Sequence, residues 1–273
     1  TGMVQIHEED PSFVFRFDPE VRQSLLFAQG ELHLDTIVQR LKSRYNVEVT
    51  TESPRIPYRE TIRGTAEGHH RHKKQTGGRG QFGEVHLRIS PRARGEGFEF
   101  GNEVVGGNIP SNFIPAIEKG IIETLVEGPV AGYKVVDVAA TVTDGKYHPV
   151  DSDEVSFKIA GSVAFKDAFL KAKPVLLEPI YSLTITIPEE YMGDVMGDLS
   201  SRRGRISGMD TSGHSQVIRA EVPLSELERY ATTLRSMTQG KGIHAQKFER
   251  YEEVPGDQMA KVVEASKKQK SEE

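Results

Sequence analysis

The chain has 273 residues, 36% of them hydrophobic and 27% charged, and it carries a net charge of -5 at pH 7. At about 150 residues per domain, this length predicts about two domains, with three small ones possible, and no apolar run reaches the ~18 residues of a membrane-spanning helix. The absence of cysteine excludes disulfide scaffolds, thiol catalysis and cysteine-type zinc sites, and it is typical of a reducing compartment.

The first residues carry no recognisable targeting pattern. Residues 1–4 have neither the basic and apolar regions of a secretory signal nor the Arg- and Ser-rich pattern of a transit peptide. Together with the missing cysteines, this predicts a cytoplasmic protein with no membrane partner.

Positive charge is concentrated in one stretch of the sequence. Residues 63–94 contain eight Lys and Arg against two Glu, so the rest of the chain is clearly acidic. This distribution favours a local contact with phosphate, and a solvated charged loop is the alternative that composition leaves open.

The N-terminal part predicts two strands, over 12–17 and 24–27, a helix that begins at Gly30, and a short strand over 47–50. Pro54 and Pro57 then mark a linker. Two strands, a helix and one strand form an incomplete layered unit, so we expect further elements upstream. The helix is indicated by apolar residues at three- and four-residue spacing, which are Leu34, Ile37, Val38 and Leu41.

The middle part predicts a strand over 84–90, because Val85, Leu87 and Ile89 alternate with polar residues. A helix follows from about residue 112 to Gly128, with Pro115 in its first turn. The remaining predictions are a strand over 133–142, a turn at Asp144-Gly145, a strand over 155–159 and a helix over 161–171.

The last part has the element order of a ferredoxin-like domain. Strand, helix, two strands, helix and strand are predicted over 180–187, 189–203, 205–209, 216–222, about 227–234 and 243–251. A Lys-rich helix or tail follows Pro255-Gly256.

The glycine-rich stretch 78–85 fits the pattern G-x-G-x-x-G-x-V, but nucleotide chemistry is excluded on three grounds. The other kinase motifs are absent, a strand rather than a helix follows the glycines, and no P-loop motif occurs. A loop over 75–83 remains, in which backbone amides and Arg79 can contact phosphate. A plain hairpin tip is the alternative.

Histidines and carboxylates give weaker signals. His69, His70 and His72 lie in a predicted glycine-flanked loop without further ligands, so adventitious metal binding is favoured over a metal site. The acidic residues at 151–154 lack the glycine and the glutamate that a calcium loop requires. No catalytic constellation is recognisable, and an RNA- or ribosome-binding multidomain protein is favoured over an enzyme.

Many strings of the sequence resemble the carboxy-terminal half of bacterial-type elongation factor G, the ribosomal translocase. They occur in the family's order over nearly the whole chain. The matching strings are residues 9–13, 30–34, 58–62, 75–83, 106–110, 144–148, 150–152, 157–161, 189–194, 202–204 and 234–242.

The resemblance implies an α+β multidomain fold. Residues 1–54 would be a partial ferredoxin-like domain III, 55–178 a split βαβ domain IV with a left-handed crossover, similar to domain 2 of ribosomal protein S5, and 179–254 a ferredoxin-like domain V. Residues 255–273 would be a C-terminal helix or tail. The GTPase domain, with its GTP and Mg, would belong to the missing N-terminal part of the parent protein, so no cofactor, metal or catalytic residue is expected here.

The resemblance also implies RNA-binding sites. Two tip loops of domain IV, over 75–83 and 144–151, would reach the small-subunit decoding site and contact tRNA and mRNA, and domain V would contact the large-subunit stalk base. The implied RNA-binding residues are Gln75, Gly77, Gly78, Arg79, Gly80, Gln81, Tyr147, His148, Arg202, Arg203, Gln239 and Lys241.

The predicted function is that of a monomeric fragment of a translation factor that binds the ribosome and, within the intact GTPase, promotes tRNA-mRNA translocation. A paralogue that acts in ribosome recycling and a stand-alone ribosome-binding protein without a GTPase partner are the alternatives. The segment 68–74 is longer and richer in His and basic residues than we expect in housekeeping members. This is compatible with a paralogue whose task is translocation, ribosome recycling or another ribosome-bound role.

Overall fold

The computed structural model describes residues 2–75, 80–213 and 215–272. It divides into two compact units, Thr1–Pro57 with Glu178–Glu252, and Tyr58–Leu177 with Glu253–Glu273. The predicted α+β class is confirmed, and the sheets contain both parallel and antiparallel pairs. Within the described ranges, no helix combines the length and apolar character needed to cross a membrane.

The N-terminal part of the first unit contains two helices and a two-stranded antiparallel sheet. Its elements are α1 (Gly2–Glu9), β1 (Val14–Asp18), β2 (Gln23–Phe27) and α2 (Glu31–Tyr45). A small core joins the two helices, because Ile6 of α1 and Ile37 and Leu41 of α2 pack together with Phe13. The helix predicted from Gly30 is thus confirmed, and α1 is an element that the sequence reading did not predict.

The strand predicted over 47–50 was wrong. Asn46 adopts a left-handed conformation at φ 53°, and the amide of Val47 donates to the carbonyl of Leu41 at 3.3 Å, which closes the end of α2. Val47 and Val49 are about half exposed and pair with no strand in the described part of the chain. The β-branched residues predicted a strand, but no neighbouring strand is there to pair with them.

The second unit contains a four-stranded sheet. The elements of this unit up to residue 171 are β3 (Arg59–Ile62), β4 (Ala66–Lys74), β5 (Gln81–Pro91), β6 (Phe98–Asn102), α3 (Ile114–Val126), β7 (Lys134–Val135), β8 (Val138–Lys146) and α4 (Glu154–Lys171). The strand order is β4-β5-β8-β6, in which β6 and β8 are parallel and connected through α3. Val85, Leu87 and Ile89 of β5 are buried in one core with α3 and α4. The βαβ connection agrees with the predicted fold, and its hand stays a prediction.

The single strand predicted over 133–142 is in fact two strands, β7 and β8. They are separated at Asp137, which is buried at φ 57°. Its carboxylate accepts hydrogen bonds from the amides of Gly95 and Gly97, both at 3.0 Å. This local contact holds a backbone conformation that interrupts the run of apolar residues.

The turn predicted at Asp144-Gly145 was also wrong, because β8 continues through both residues. They lie opposite His86 and Val85 of β5. A Cβ atom at Gly145 would lie 2.2 Å from the carbonyl oxygen of Glu84. Glycine therefore permits the close approach of β8 to β5 here, and the turn comes later, over residues 147–153.

The strand predicted over 155–159 was wrong because these residues form the start of α4. The carboxylate of Asp153 accepts a hydrogen bond from the amide of Ser156 at 2.7 Å, which caps the helix. Val155 is 54% exposed, whereas Phe157 is buried. The apparent alternation of apolar residues does not correspond to one buried face.

A buried carboxylate in β3 organises the loop that follows α3. Glu60 is buried, and its carboxylate accepts hydrogen bonds from the amides of Val130, Ala131 and Tyr133 at 3.0, 2.8 and 3.1 Å. Burial raises the pKa of Glu60, although these hydrogen bonds oppose the shift. Glu60 therefore fixes the loop that leads from α3 into β7.

The predicted ferredoxin-like domain is confirmed. Its elements are β9 (Pro174–Pro188), α5 (Met192–Ser201), β10 (Arg205–Ser212), β11 (Ser215–Pro223), α6 (Tyr230–Met237) and β12 (Ile243–Glu253). Strand β9 pairs with β11 and with β12, and β11 pairs with β10. Leu183, Val195, Ile218 and Leu234 belong to its core. The chain continues into α7 (Gly256–Glu272), so the predicted helix or tail is a helix.

Candidate nucleic-acid interface

Two of the predicted RNA-binding segments meet at one end of the β4-β5 pair. Lys74 and Gln81 are the last residues in register, and the turn 147–153 lies against them. The amide of Gly80 donates to Oδ1 of Asp151 at 3.0 Å, and the amide of Phe82 donates to the carbonyl of Asp151 at 2.9 Å. We call residues 73–75, 80–82 and 147–153 the tip. The tip contains Gln75, Gly80, Gln81, Tyr147 and His148, whereas Gly77, Gly78 and Arg79 lie outside the described residues.

Ser152 joins the two halves of the tip. It is 8% exposed, and its hydroxyl donates to the carbonyl of Phe82 and accepts from the amide of His148, both at 2.8 Å. The amide of Phe82 in turn donates to the carbonyl of Asp151. The turn is therefore held against β5 by paired backbone and side-chain hydrogen bonds.

His148 is oriented by its own turn. The amides of Asp151 and Val150 lie 3.2 and 3.3 Å from its Nδ1 atom, and Oδ2 of Asp151 lies 3.4 Å from the same atom. Nδ1 is thus engaged within the turn, and in the neutral tautomer that accepts from these amides the proton is on Nε2. The ring is half exposed, and its Nε2 atom has no partner within the part of the chain that the structure describes. His148 can thus donate a hydrogen bond outward from a fixed position.

Most arginines of the basic stretch 63–94 are neutralised within the second unit. Their carboxylate partners come from outside the stretch, with one exception at Glu84. The pairs are Arg63 with Glu253, Arg71 with Glu84, Arg88 with Glu103, Arg92 with Glu96 and Glu99, and Arg94 with Asp137.

Lys73 and Lys74 differ from these arginines. Both are exposed, and neither has an ion pair with any residue that the structure describes. Exposed Tyr147 and Lys146 lie on the adjoining turn and strand end, while the side-chain oxygen of Gln81 lies 3.0 Å from the ring nitrogen Nε2 of His72. Among the described residues of the stretch, the Lys and Arg side chains without an ion pair are therefore located at the tip.

Arg202 and Arg203, the arginines predicted to bind RNA in domain V, differ from these lysines because both side chains bond to groups of the same domain. Arg203 binds the Glu178 carboxylate through two 2.8 Å hydrogen bonds and Glu226 at 3.0 Å. These bonds raise the pKa of Arg203. Arg202 donates to Asp198 at 2.9 Å and to the carbonyl of Glu226 at 2.6 Å. Both side chains hold the end of α5 in place.

Gln239 and Lys241 lie in the exposed turn after α6. Gln239 has a left-handed backbone at φ 52°. Lys241 pairs with Glu190 at 3.0 Å, and its ammonium group lies 5.5 Å from the ring centre of Tyr191. Thr238 shapes the turn by accepting a hydrogen bond from the amide of Gly242 at 2.8 Å. These residues belong to the first unit, whereas the tip belongs to the second.

The three histidines considered as a metal cluster do not lie in a loop. They are in β4, where alternation places His69 on one face and His70 and His72 on the other. His69 instead meets Glu84 and His86 of β5, with its Nε2 atom 3.1 Å from Oε1 of Glu84. Sequence reasoning missed Glu84 and His86 in this role, although their spacing in an alternating strand indicated a shared face.

Comparisons with known proteins show the family of this chain. Family models for elongation factor G match in succession, domain III over residues 1–53, domain IV over 54–173 and the C-terminus over 175–262. This chain belongs to the elongation factor G family. It is therefore a member of a translation factor family, and the tip belongs to its domain IV.

A solved structure gives the same picture of the fold. A crystal structure of a protein from Thermus thermophilus superposes with a TM-score of 0.85 at 44% sequence identity. The match covers 98% of this chain and 40% of that one, so the chain spans about two fifths of the length of the solved protein. The elongation factor G domains found here are domains III and IV and the C-terminal domain.

Proposed function

We propose that this chain is the ribosome-binding part of a translocase, in which the tip of domain IV enters the decoding site and contacts tRNA and mRNA. The parent protein is a GTPase whose GTP and Mg are held by a separate domain. Domain V contacts the large-subunit stalk base, and the protein acts as a cytoplasmic monomer. The assignment to elongation factor G domains supports this proposal in general.

The observation that carries the decoding-site assignment is the construction of the tip. A turn and a hairpin end are joined by hydrogen bonds through Asp151 and Ser152, so the contact groups are positioned before binding. Lys73 and Lys74 supply positive charge without intramolecular partners in the described residues. Exposed Tyr147 and His148 add a ring that can stack and an N–H that can donate.

This proposal predicts that the tip dominates ribosome binding. We expect the double change Lys73→Glu and Lys74→Glu to weaken binding to vacant ribosomes by about tenfold or more, because two phosphate contacts become repulsive. Arg79→Glu, alone or with His148→Ala, should act in the same direction. Co-sedimentation at two salt concentrations measures the affinity and its salt dependence, and chemical footprinting of the decoding region reports the position.

The matched control is the double change Lys267→Glu and Lys268→Glu in α7, which alters charge equally on exposed side chains of the same unit. It should retain most of the affinity. Equal losses for the tip and α7 variants would contradict the tip assignment. Unchanged footprints in the decoding region on adding the wild-type chain would contradict the decoding-site proposal itself.

A further inference from the structure

The outer face of the β4-β5 pair carries a cluster of side chains that lies outside the tip as defined above. His69 and His86 lie directly opposite each other in the strand register, and their rings stack with centroids 4.1 Å apart. Oε1 of Glu84 lies 3.1 Å from Nε2 of His69 and 3.5 Å from Nε2 of His86. The three ligand atoms all lie within 4.8 Å of one another.

We propose that His69, Glu84 and His86 bind one divalent transition-metal ion of the Zn²⁺ class. Two imidazoles and one carboxylate are a donor set that zinc uses in proteins, with bonds of about 2.0–2.2 Å. Tetrahedral bonds of that length place the donor atoms about 3.4 Å apart. The two distances from Glu84 to the histidines are close to this spacing. The two rings are stacked at 26°, so they must rotate for both Nε2 atoms to point at one ion.

The backbone holds these donors in place. Glu84 and His86 are two residues apart on β5 and so share a face, and His69 is fixed opposite them by the antiparallel register. All three come from paired strands, with no donor contributed by a loop. Folding has therefore already fixed the backbone positions of the three ligands, which favours binding.

Arg71 determines which carboxylate oxygen is available. Its Nε atom donates to Oε2 of Glu84 at 2.7 Å, whereas the two histidines lie nearest Oε1. Glu84 is buried, so this contact orients the carboxylate with Oε1 toward the two rings. The guanidinium charge opposes a second cation nearby, and we therefore expect moderate affinity rather than the tight binding of a structural zinc site.

The proposed site is open on one side. The two imidazoles are 47% and 42% exposed. They line a surface hollow together with Glu67, Thr143, Asp144 and Lys171. Three protein ligands leave a fourth position of a tetrahedral ion facing this hollow, where water or an anionic oxygen ligand can bind.

The alternative is a hydrogen-bonded cluster in which both histidines donate to Glu84 without any ion. The two cases differ in stoichiometric metal uptake. The test is calorimetric titration of Zn²⁺ into the chain, freed of any polyhistidine tag and stripped with a chelator, at neutral pH. We expect one ion per chain, and Co²⁺ should give the visible absorption of a tetrahedral nitrogen and oxygen site.

Substitutions locate the ion. His69→Asn and His86→Asn should each weaken Zn²⁺ binding by about tenfold or more and abolish the Co²⁺ absorption, since each removes one of three ligands. His70→Asn and His72→Asn are the matched controls, because they change the same residue type on the other face of the same strand. They should leave the affinity unchanged.

The thermal unfolding of each variant without metal checks its folding. Added Zn²⁺ should raise the unfolding temperature of the wild-type chain and of the control variants but not that of His69→Asn. Lack of stoichiometric uptake by the wild type would overturn the proposal. Equal losses in the His70 or His72 variants would also overturn it, because they would indicate loose binding to any histidine. The outcome is independent of ribosome binding.

Discussion

The tip of domain IV and the end of α5 in domain V both contain two adjacent basic residues, but the two pairs differ in whether their side chains form ion pairs. At the tip, Lys73 and Lys74 are exposed and have no ion pair within the described ranges. At the end of α5, Arg202 and Arg203 are committed to carboxylates and carbonyls of their own domain. Adjacent basic residues therefore form an exposed charged surface at the tip, whereas at the end of α5 they stabilise the domain through internal ion pairs.

The difference comes from the acidic residues nearby. Glu178 is 3% exposed, so its carboxylate needs a cation, and Arg203 supplies it in a bidentate arrangement. No buried carboxylate pairs with Lys73 or Lys74 in the described part of the chain. A predicted RNA-binding arginine should therefore be judged by what its guanidinium group already binds.

The largest effect should follow from Arg203→Met. This change leaves the buried carboxylate of Glu178 without its partner, and we expect it to lower the free energy of unfolding by about 3–5 kcal/mol. Urea unfolding followed by circular dichroism measures the change. Arg219→Met is the control, since Arg219 and Asp210 form an exposed pair worth about 0–1 kcal/mol. Similar losses in both variants would remove the distinction between buried and exposed arginine pairs.

Within domain IV, Glu84 should make stability depend on pH. Burial raises the pKa of Glu84, but hydrogen bonds from Arg71, His69 and His86 outweigh it and lower the pKa from 4.5 to about 2. Because the folded pKa lies below the unfolded one, the stabilisation is present above about pH 4.5 and is lost as the pH falls toward 2.

Glu84→Gln should therefore reduce the free energy of unfolding at neutral pH by up to about 3 kcal/mol. The difference from the wild type should persist down to about pH 4.5 and shrink as the pH falls from there toward 2. Urea unfolding at several pH values tests this. A difference that stays constant with pH would show that Glu84 contributes through packing rather than through its charge.

A smaller effect is expected from Ser152→Ala at the tip. It removes the two hydrogen bonds that join the turn to β5, and we expect a loss of about 1–2 kcal/mol in unfolding free energy. Ser200→Ala, on an exposed face of α5, should cost less than about 0.5 kcal/mol. If both changes are neutral, the tip is not held by these bonds.

The smallest effect on stability should come from Lys73→Ala combined with Lys74→Ala. Neither side chain has an ion pair among the described residues, so the unfolding free energy should stay within about 0.5 kcal/mol of the wild type. The same protein should bind ribosomes less tightly and with a weaker salt dependence. Loss of stability without loss of ribosome binding would contradict this, because it would show that Lys73 and Lys74 stabilise the fold rather than form a contact surface.

Much of the fold could be predicted because periodic apolar patterns reflect burial. The helices α2 and α3 and the strand β5 were predicted from such patterns, and the ferredoxin-like order of domain V was predicted from element order. The errors occurred where local contacts override propensity. Asp137 divides one apolar run into two strands through bonds to Gly95 and Gly97, and the cap at Asp153 begins a helix where alternation predicted a strand.

The site could be predicted only in part, because sequence shows residue types but not their partners. Gly80 and His148 are brought to one tip as expected from the resemblance, yet the sequence contains no sign of the bonds that occupy Arg202 and Arg203. The histidines show the same limit. Treating 68–74 as a loop grouped His69 with His70 and His72, whereas strand alternation separates them and the register with β5 joins His69 to His86.

The helix α7 has a consequence for how the chain acquires its structure during synthesis. Val254 packs with Ala131 and Leu176, Met259 joins this cluster, and the hydroxyl of Ser266 donates to the carbonyl of Ala131 at 2.9 Å. The residues that cover this part of the second unit are thus translated after all of domain V. A nascent chain carries the apolar patch around Leu176 uncovered until α7 leaves the exit tunnel, so the second unit completes its folding last, even though most of its sequence is made earlier.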